Sequence, residues 1–348
     1  MNRQKLLQKT VNPIDIKRFD CVDLVEAMGQ MSFQARNLSR AAQIYDRMIQ
    51  DTDCNIILCL AGFLFSAGLK EIVYDLIANN MVDVIVSTGA NIVDQDFFEA
   101  LGFRHYLGDP LANDELLRQQ QIDRIYDTFI IDERQLRECD LTIAEIAKYL
   151  SPKPYSSQEF IHHMGEYLTQ HAKDTRSVVL AAYQHQVPIF VPAFSDCSAG
   201  FGLVHHQWKS PECHLTIDSV RDFRQLTQCK LASTYTGLVT IGGGVPKNFA
   251  QDTVVAAELL GFETSMHKYS IQITVADERD GGLSGSTLRE AHSWGKVDKK
   301  VEQMVFAEAT LAFPLVAGYV YGKNNWQERK ARCLARLFCS SQVPLAYT

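Results

Sequence analysis

The sequence is missing most of the signatures that name a chemistry at once. It has no GxGxxG run, so it carries no generic dinucleotide fingerprint. It has no GxSxG, and no serine or cysteine that spacing ties to a base, which removes the support for Ser or Cys nucleophilic catalysis. Its nine cysteines (Cys21, Cys54, Cys59, Cys139, Cys197, Cys213, Cys229, Cys333, Cys339) form no CxxC pair, are odd in number and sit mostly in apolar runs. That pattern reads as reduced thiols in a cytoplasm rather than a disulfide framework. The adjacent pairs His162-His163 and His205-His206 cannot converge on one ion from a helix or strand, so no metal site is expected. The N-terminus lacks the apolar core of a signal peptide and no stretch approaches 18 uncharged apolar residues, so neither secretion nor membrane spanning is indicated. A net charge of −7 gives no basic footprint for nucleic acid and favours cationic small molecules, among which polyamines would suit it.

What is present is an ordinary globular composition, 46% apolar and 22% charged, able to bury a large core. Apolar periodicity predicts a helix over about Cys21–Asp51 with a break near Gly29. Asn55–Leu60 reads as a strand, Ala61-Gly62 as its turn, and Ser66-Ala67-Gly68 opens a helix through Asn80. The unit repeats with a buried strand Val82–Ser87, the turn Thr88-Gly89-Ala90-Asn91 and a helix Asp94–Leu101. Further strands are expected at Arg124–Ile131, Val187–Val191, Leu238–Ile241, Ser270–Val275 and Leu311–Val316. Helices are expected at Leu141–Leu150, Ser157–Thr169, Thr175–His185, Ile217–Thr227 and Asn248–Leu260. Strands alternating with helices imply an α/β fold with a doubly wound, mostly parallel sheet flanked by helices. Polar stretches Gly108–Gln121 and Gln207–Thr216 read as excursions inside one domain, and Arg329–Arg336 as a solvated helix face. The expectation is a single domain over 1–348, with an N-terminal helical segment, 1–50, packed on it.

In parallel sheets ligands bind beyond the carboxyl ends of strands, where four small-residue turns fall: Ala61-Gly62, Thr88-Gly89-Ala90-Asn91, Gly242-Gly243-Gly244 and Ala276 to Gly285. Each alone is a tight turn as readily as a ligand cradle; the glycine triplet is the most informative, since residues without Cβ permit positive φ and close backbone approach. Asp196, Glu290 and Glu308 border such stretches, where an acid could hold an ammonium or a ribose hydroxyl or simply cap a helix. Lys296 follows Trp294-Gly295 with Glu290 upstream, a setting in which an aromatic and an acid could prepare an amine for imine formation.

Several segments in order resemble the deoxyhypusine synthase family: Phe33-Gln34-Ala35-Arg36, Asn80-Met81-Val82-Asp83-Val84, Pro192-Ala193-Phe194-Ser195-Asp196, Gly242-Gly243-Gly244-Val245-Pro246-Lys247 and Ser293-Trp294-Gly295-Lys296. The resemblance runs from Pro13 to Gly318. It implies a Rossmann-like NAD-binding fold, and a homotetramer with sites at dimer interfaces. It implies NAD as cofactor, spermidine as donor of a 4-aminobutyl group, and Lys296 as the nucleophile that carries the group as an imine to an acceptor amine. NAD contacts would fall on Gly62, Phe63, Ser66, Thr88, Gly89, Ala90, Asp196, Gly243, Val275, Ala276, Glu308 and Ala309. Polyamine contacts would fall on Asp94, Asn248, Gly281, Gly282, Glu290 and Trp294.

The departures from the family pattern gather in the polyamine pocket. Phe201 and Leu283 stand where carboxylates are expected, Asn248 where a histidine is, and Gln95 where one of a pair of acids is. Each lost carboxylate removes a charge-assisted hydrogen bond to an ammonium, roughly 1.5–3 kcal/mol. The acceptor is therefore left open between a protein lysine and a small amine such as putrescine or agmatine, and a catalytically silent NAD-binding paralogue remains an alternative.

Overall fold

A computed structural model describes residues 3–131 and 133–339. Its centre is a six-stranded, wholly parallel sheet: β1 Cys54–Leu60, β2 Val84–Ser87, β3 Ile189–Phe190, β4 Tyr235–Ile241, β5 Tyr269–Thr274 and β6 Glu302–Phe306. Their spatial order is β6-β5-β4-β1-β2-β3. The chain lays down β1, β2 and β3 outward in one direction, then returns to place β4, β5 and β6 on the other side. That is the doubly wound Rossmann order, and it puts the topological switch point between β1 and β4. Every residue of β1 and β5 is buried, as strands covered by helices on both faces require.

The N-terminal periodicity resolves into helices Val22–Met28 and Phe33–Gln50, with the break at Gly29 as expected. The second lays Leu38, Ala41, Tyr45 and Met48 against the sheet, each buried. Full burial of side chains of this size stabilises by about 1.5–3 kcal/mol apiece. Gly237 in β4 makes room for it, because a Cβ there would lie 2.6 Å from the Met48 sulfur.

The structure corrects several expectations. Arg124–Ile131 is not one strand but an antiparallel hairpin, Ile122–Ile125 with Thr128–Ile131, turning at Tyr126 with φ +52°. It pairs with His105–Leu107 into a small separate sheet. Leu311–Val316 is not a strand; it belongs to the helix Ala309–Gly322, which is apolar nearly all round although Leu311 is exposed, so its run of hydrophobics has no period to read. The sixth strand is instead Glu302–Phe306, an edge strand with only three apolar residues. Ser198–Lys209, not among the expected helices, is a helix. The basic stretch after Trp326 is no solvated face at its start: the Arg329 side chain is buried, paired with Asp83, and donates to the carbonyls of Asn80 and Cys54 at the amino ends of β1 and β2.

Among the described residues eight cysteines are free, and no helix is long and apolar enough to cross a membrane.

Candidate active site

Main-chain hydrogen bonds carry the ladder past the strand ends and bring the small-residue turns side by side. Ala61 N donates to Ile241 O at 3.0 Å, Thr88 N to Leu60 O at 3.1 Å, and Gly242 N to Ile273 O at 2.8 Å. The Thr88 hydroxyl donates to Gly62 O at 3.0 Å. Gly62, Thr88 and Gly242 are thereby joined across the switch point. A Cβ at Gly62 would meet nothing within 4 Å, so this backbone, at φ +74°, faces open space. Gly243 has a different reason to be glycine: a Cβ would lie 2.5 Å from Ser284 Cα, so the β4 loop packs on the loop after β5. Gly89 likewise makes room for the Cys197 side chain.

The Gly62–Ser66 turn is fixed from behind. Asn91 Oδ1 accepts from Leu64 N at 2.8 Å, and Gln95 Oε1 accepts from Ser66 N at 2.6 Å. Both acceptors lie on the helical segment Ala90–Phe97, which begins four residues before the expected Asp94 and has the wide π-type turns that recur at functional sites. Phe63 is exposed at the mouth of this turn.

Asp94 lies deeper. Its Oδ1 accepts from Ser198 N at 2.7 Å, and burial pushes its carboxyl up to about 6 against the effect of the Ser198 hydrogen bonds, with Asp140 and Asp196 adding negative charge. It lines a cavity of about 250 Å³ with Asp123, Asp140, Gln95, Ser198 and the apolar walls Phe63, Phe201, Ile125, Ile130 and Leu136. Asp140 Oδ1 and Gln95 Nε2 are buried without hydrogen-bond partners among the described residues. A cavity with apolar walls and a few converging polar groups is the usual form of a small-molecule site.

At the far side of the sheet, Ala276 N donates to Thr274 Oγ1 at 3.1 Å and Val275 is exposed. Glu308 caps the helix starting at Ala309, accepting from Thr310 N at 2.8 Å. Gln34, from the Phe33-Gln34-Ala35-Arg36 motif, accepts from Phe306 N at 2.7 Å and so reaches the carboxyl end of β6.

Lys296 stands apart from the crevice. Val297 bridges in parallel to His267, two residues before β5 begins, whereas Gly243 and Ala276 lie at the carboxyl ends. From His267 to the end of β5 at Thr274 is seven residues of strand, roughly 20 Å at about 3.3 Å each. The Lys296 amine lies 2.5 Å from Asp252 Oδ1 and 5.3 Å from the centre of the Trp294 ring, itself 67% exposed. Asn248 donates from Nδ2 to Asp252 Oδ2 at 2.9 Å rather than standing free for a ligand. Lys247 is buried nearby and donates to Ser286 O at 2.7 Å and Ser286 Oγ at 2.8 Å. Burial lowers its amine to about 8, opposed by the Glu290 carboxylate and assisted by the positive charge of Lys296. Glu290 follows Thr287, whose hydroxyl caps the short helix Leu288–Ser293, and Gly281 turns at φ +72° in open space with Gly282 beside Asp280.

The expected residues thus fall into a crevice group (Gly62, Phe63, Ser66, Thr88, Gly89, Ala90, Asp94, Asp196, Gly243), an edge group (Val275, Ala276, Glu308, Ala309) and a lysine group (Asn248, Glu290, Trp294, Lys296). Sequence reasoning missed Asp252 and Asp140 as members, whereas Gln95 and Phe201, singled out there as departures in the polyamine pocket, do line the cavity. Asp252 was within reach, four residues after Asn248 on the same helical face; nothing local marks Asp140.

Fold and crevice define a Rossmann-like α/β protein with a dinucleotide-type switch point and a lysine–carboxylate centre on its flank. The sequence profile of deoxyhypusine synthase matches residues 23–320. The chain belongs to the deoxyhypusine synthase family. It is 61% identical to a deoxyhypusine synthase-like protein of Chlorobaculum tepidum over 333 residues, 95% of each chain. The crystal structure of a candidate deoxyhypusine synthase from Entamoeba histolytica superposes with a TM-score of 0.59 at 19% identity, covering 92% of this chain and 99% of that one, a likeness of fold. So does AgrE in its ternary complex with ornithine and NAD+, at a TM-score of 0.52 and 11% identity over 84% of this chain and 34% of that one.

Proposed function

We propose that the protein transfers the 4-aminobutyl group of spermidine to an acceptor amine in an NAD-dependent reaction, through an imine on Lys296. The observation that carries this reading is the pairing of Lys296 with Asp252 beside an exposed tryptophan, in a chain of this family whose switch point is lined by glycines. The residues present fit NAD: Gly62 leaves backbone open to the crevice, Asp196 stands at the carboxyl end of β3, and the fold neighbour AgrE is seen with NAD+. Gly62 to Ser66, Thr88 to Ala90, Asp196 and Gly243 would hold it, with Val275-Ala276 and Glu308-Ala309 at the far edge. NAD, when bound, supplies the acceptor for hydride from the amine-bearing carbon and returns that hydride at the end.

The chain's own groups do the rest. Asp94 and Asp140 receive an ammonium and set its alkyl stem between Phe63 and Phe201; the apolar walls exclude water from the electron-poor carbon. Lys296 attacks that carbon and holds the fragment while the first amine leaves. Since the Lys296 backbone and the crevice lie at opposite ends of β5, the complete site is formed when Lys296 of one copy meets the crevice of another, in a homotetramer. Lys296→Ala is expected to abolish 1,3-diaminopropane release from spermidine; undiminished release would refute the reading.

A second reading of the acceptor is favoured by the cavity. Its five apolar walls and carboxylate floor fit one ammonium on a short aliphatic stem, and thus a small diamine rather than a protein lysine. Competition between putrescine and candidate protein acceptors decides it: transfer to protein alone rejects the small-amine version.

A further inference from the structure

We infer that Asp252 is the proton shuttle of the Lys296 amine, a catalytic role resting on the proposal that Lys296 forms an imine. Asp252 ends the helix Gly244–Gln251 and precedes Thr253–Leu259, the usual place for a capping aspartate, yet its side chain makes no capping hydrogen bond. One oxygen meets the Lys296 amine at 2.5 Å, and the other accepts from Asn248 Nδ2 at 2.9 Å. The carboxylate is thus taken out of the backbone's service and aimed. Asn248 is a positioning residue, fixing the carboxylate plane as a third group orients the base in other nucleophile–base pairs. The side chains of Lys296 and Asp252 are 13% and 30% exposed, so the pair opens to solvent on one side and a substrate can reach it.

In the step this serves, Lys296 gives one proton of its ammonium to Asp252, and the freed nitrogen pair forms a bond to an electron-poor carbon. With an aldehyde, the carbon–oxygen π pair moves to oxygen, which takes the proton from Asp252; the attacking nitrogen then gives a second proton through the same carboxylate, and the oxygen leaves as water. The products are a protonated Lys296 imine and a carboxylate restored. With a protonated alkyl imine in place of the aldehyde, the departing group is the alkylamine, which takes both of these protons and leaves as the alkylammonium; no oxidant or reductant is consumed. Among the described residues, Lys247 feels the charges of both Lys296 and Glu290; it donates to Ser286, and burial lowers its amine to about 8. Trp294 and Asn248 complete the surroundings without titrating.

The test uses the full-length protein, a short aliphatic aldehyde and borohydride, without NAD, and measures by mass spectrometry how fast an adduct forms on Lys296 between pH 6 and 9. The wild-type profile is expected to be shallow. Asp252→Asn should slow adduct formation at pH 7 by about 100-fold or more, the low end of what a positioned acid–base group contributes, and should steepen toward about tenfold per pH unit as hydroxide replaces the carboxylate. Asp252→Glu should restore most of the rate, and Asn248→Ala should lose several-fold with the shallow profile kept. An Asp252→Asn protein that matches wild type, or that is slowed equally at every pH with no rescue by glutamate, overturns the role of Asp252 alone. No adduct on Lys296 of the wild-type protein overturns the imine reading and this inference together.

Discussion

Two ion pairs of equal length, 2.5 Å, sit in different parts of this molecule and have opposite characters: Arg329 with Asp83, and Lys296 with Asp252. The first is sealed, its side chains 4% and 2% exposed. Arg329 also donates to two backbone carbonyls, and Asp83 accepts from Ile56 N, so both charges are tied to strand ends, with only the buried Arg329 Nε left without a partner among the described residues. The second is half open, and its lysine has no further protein acceptor among the described hydrogen bonds. A buried pair tied to backbone in this way fixes a fold, and removing one partner leaves an expensive orphan charge. An unsaturated pair at a cleft retains protons and a lone pair to exchange. Charge pairing by itself is no sign of function; leftover valence that solvent and substrate can reach is.

That contrast can be broken at several points. The largest effect is expected from Lys296→Ala: loss of aminobutyl transfer by more than about 1000-fold with stability changed by less than about 1 kcal/mol, since only a partly exposed pair is lost. Steady-state product release and urea denaturation check the two halves. Arg329→Met should do the reverse, costing about 3–5 kcal/mol in the denaturation midpoint analysis by stranding Asp83. Preserved stability in that variant would erase the distinction. Next is Gly243→Ala, where the new Cβ meets Ser284 at 2.5 Å. Overpacking there should cost about 1–3 kcal/mol and weaken NAD binding measured by calorimetry, because the two crevice loops must part.

The smallest effect is a pH dependence at Asp94. With its carboxyl raised to about 6, it is protonated below that pH and anionic above, so binding of butylamine should strengthen as pH rises through 6, by roughly tenfold or 1.4 kcal/mol. The linked stability runs the other way: between about pH 4 and 6 the folded chain keeps a proton the unfolded chain has released, so this group destabilises the fold as pH rises across that window. Asp94→Asn should flatten both slopes, read by calorimetry and by denaturation at each pH.

The sequence made much of this legible, and its failures have physical causes. Strands buried on both faces, such as Asn55–Leu60, announce themselves because nothing polar interrupts them, and the glycine turns at their ends follow. Leu311–Val316 was misread because a helix that is apolar nearly all round is as uninterrupted as a buried strand. Glu302–Phe306 was missed because an edge strand need not be apolar. At the site, the motifs gave Lys296 and the glycine loops but not their separation along β5, which depends on the bridge between Val297 and His267. Asp252 escaped because its importance lies in the hydrogen bond it does not make to its own helix. Asp140 lies on a helix distant in sequence from Asp94 and meets it only through Ser198 and the cavity they share.

The central claim, that Lys296 carries the transferred group, is tested most directly by incubating the protein with NAD and spermidine, trapping with borohydride and mapping the modified peptide by mass spectrometry. A four-carbon amine adduct on Lys296 is the predicted result. Turnover of spermidine with the adduct elsewhere, or with none at all, would contradict it.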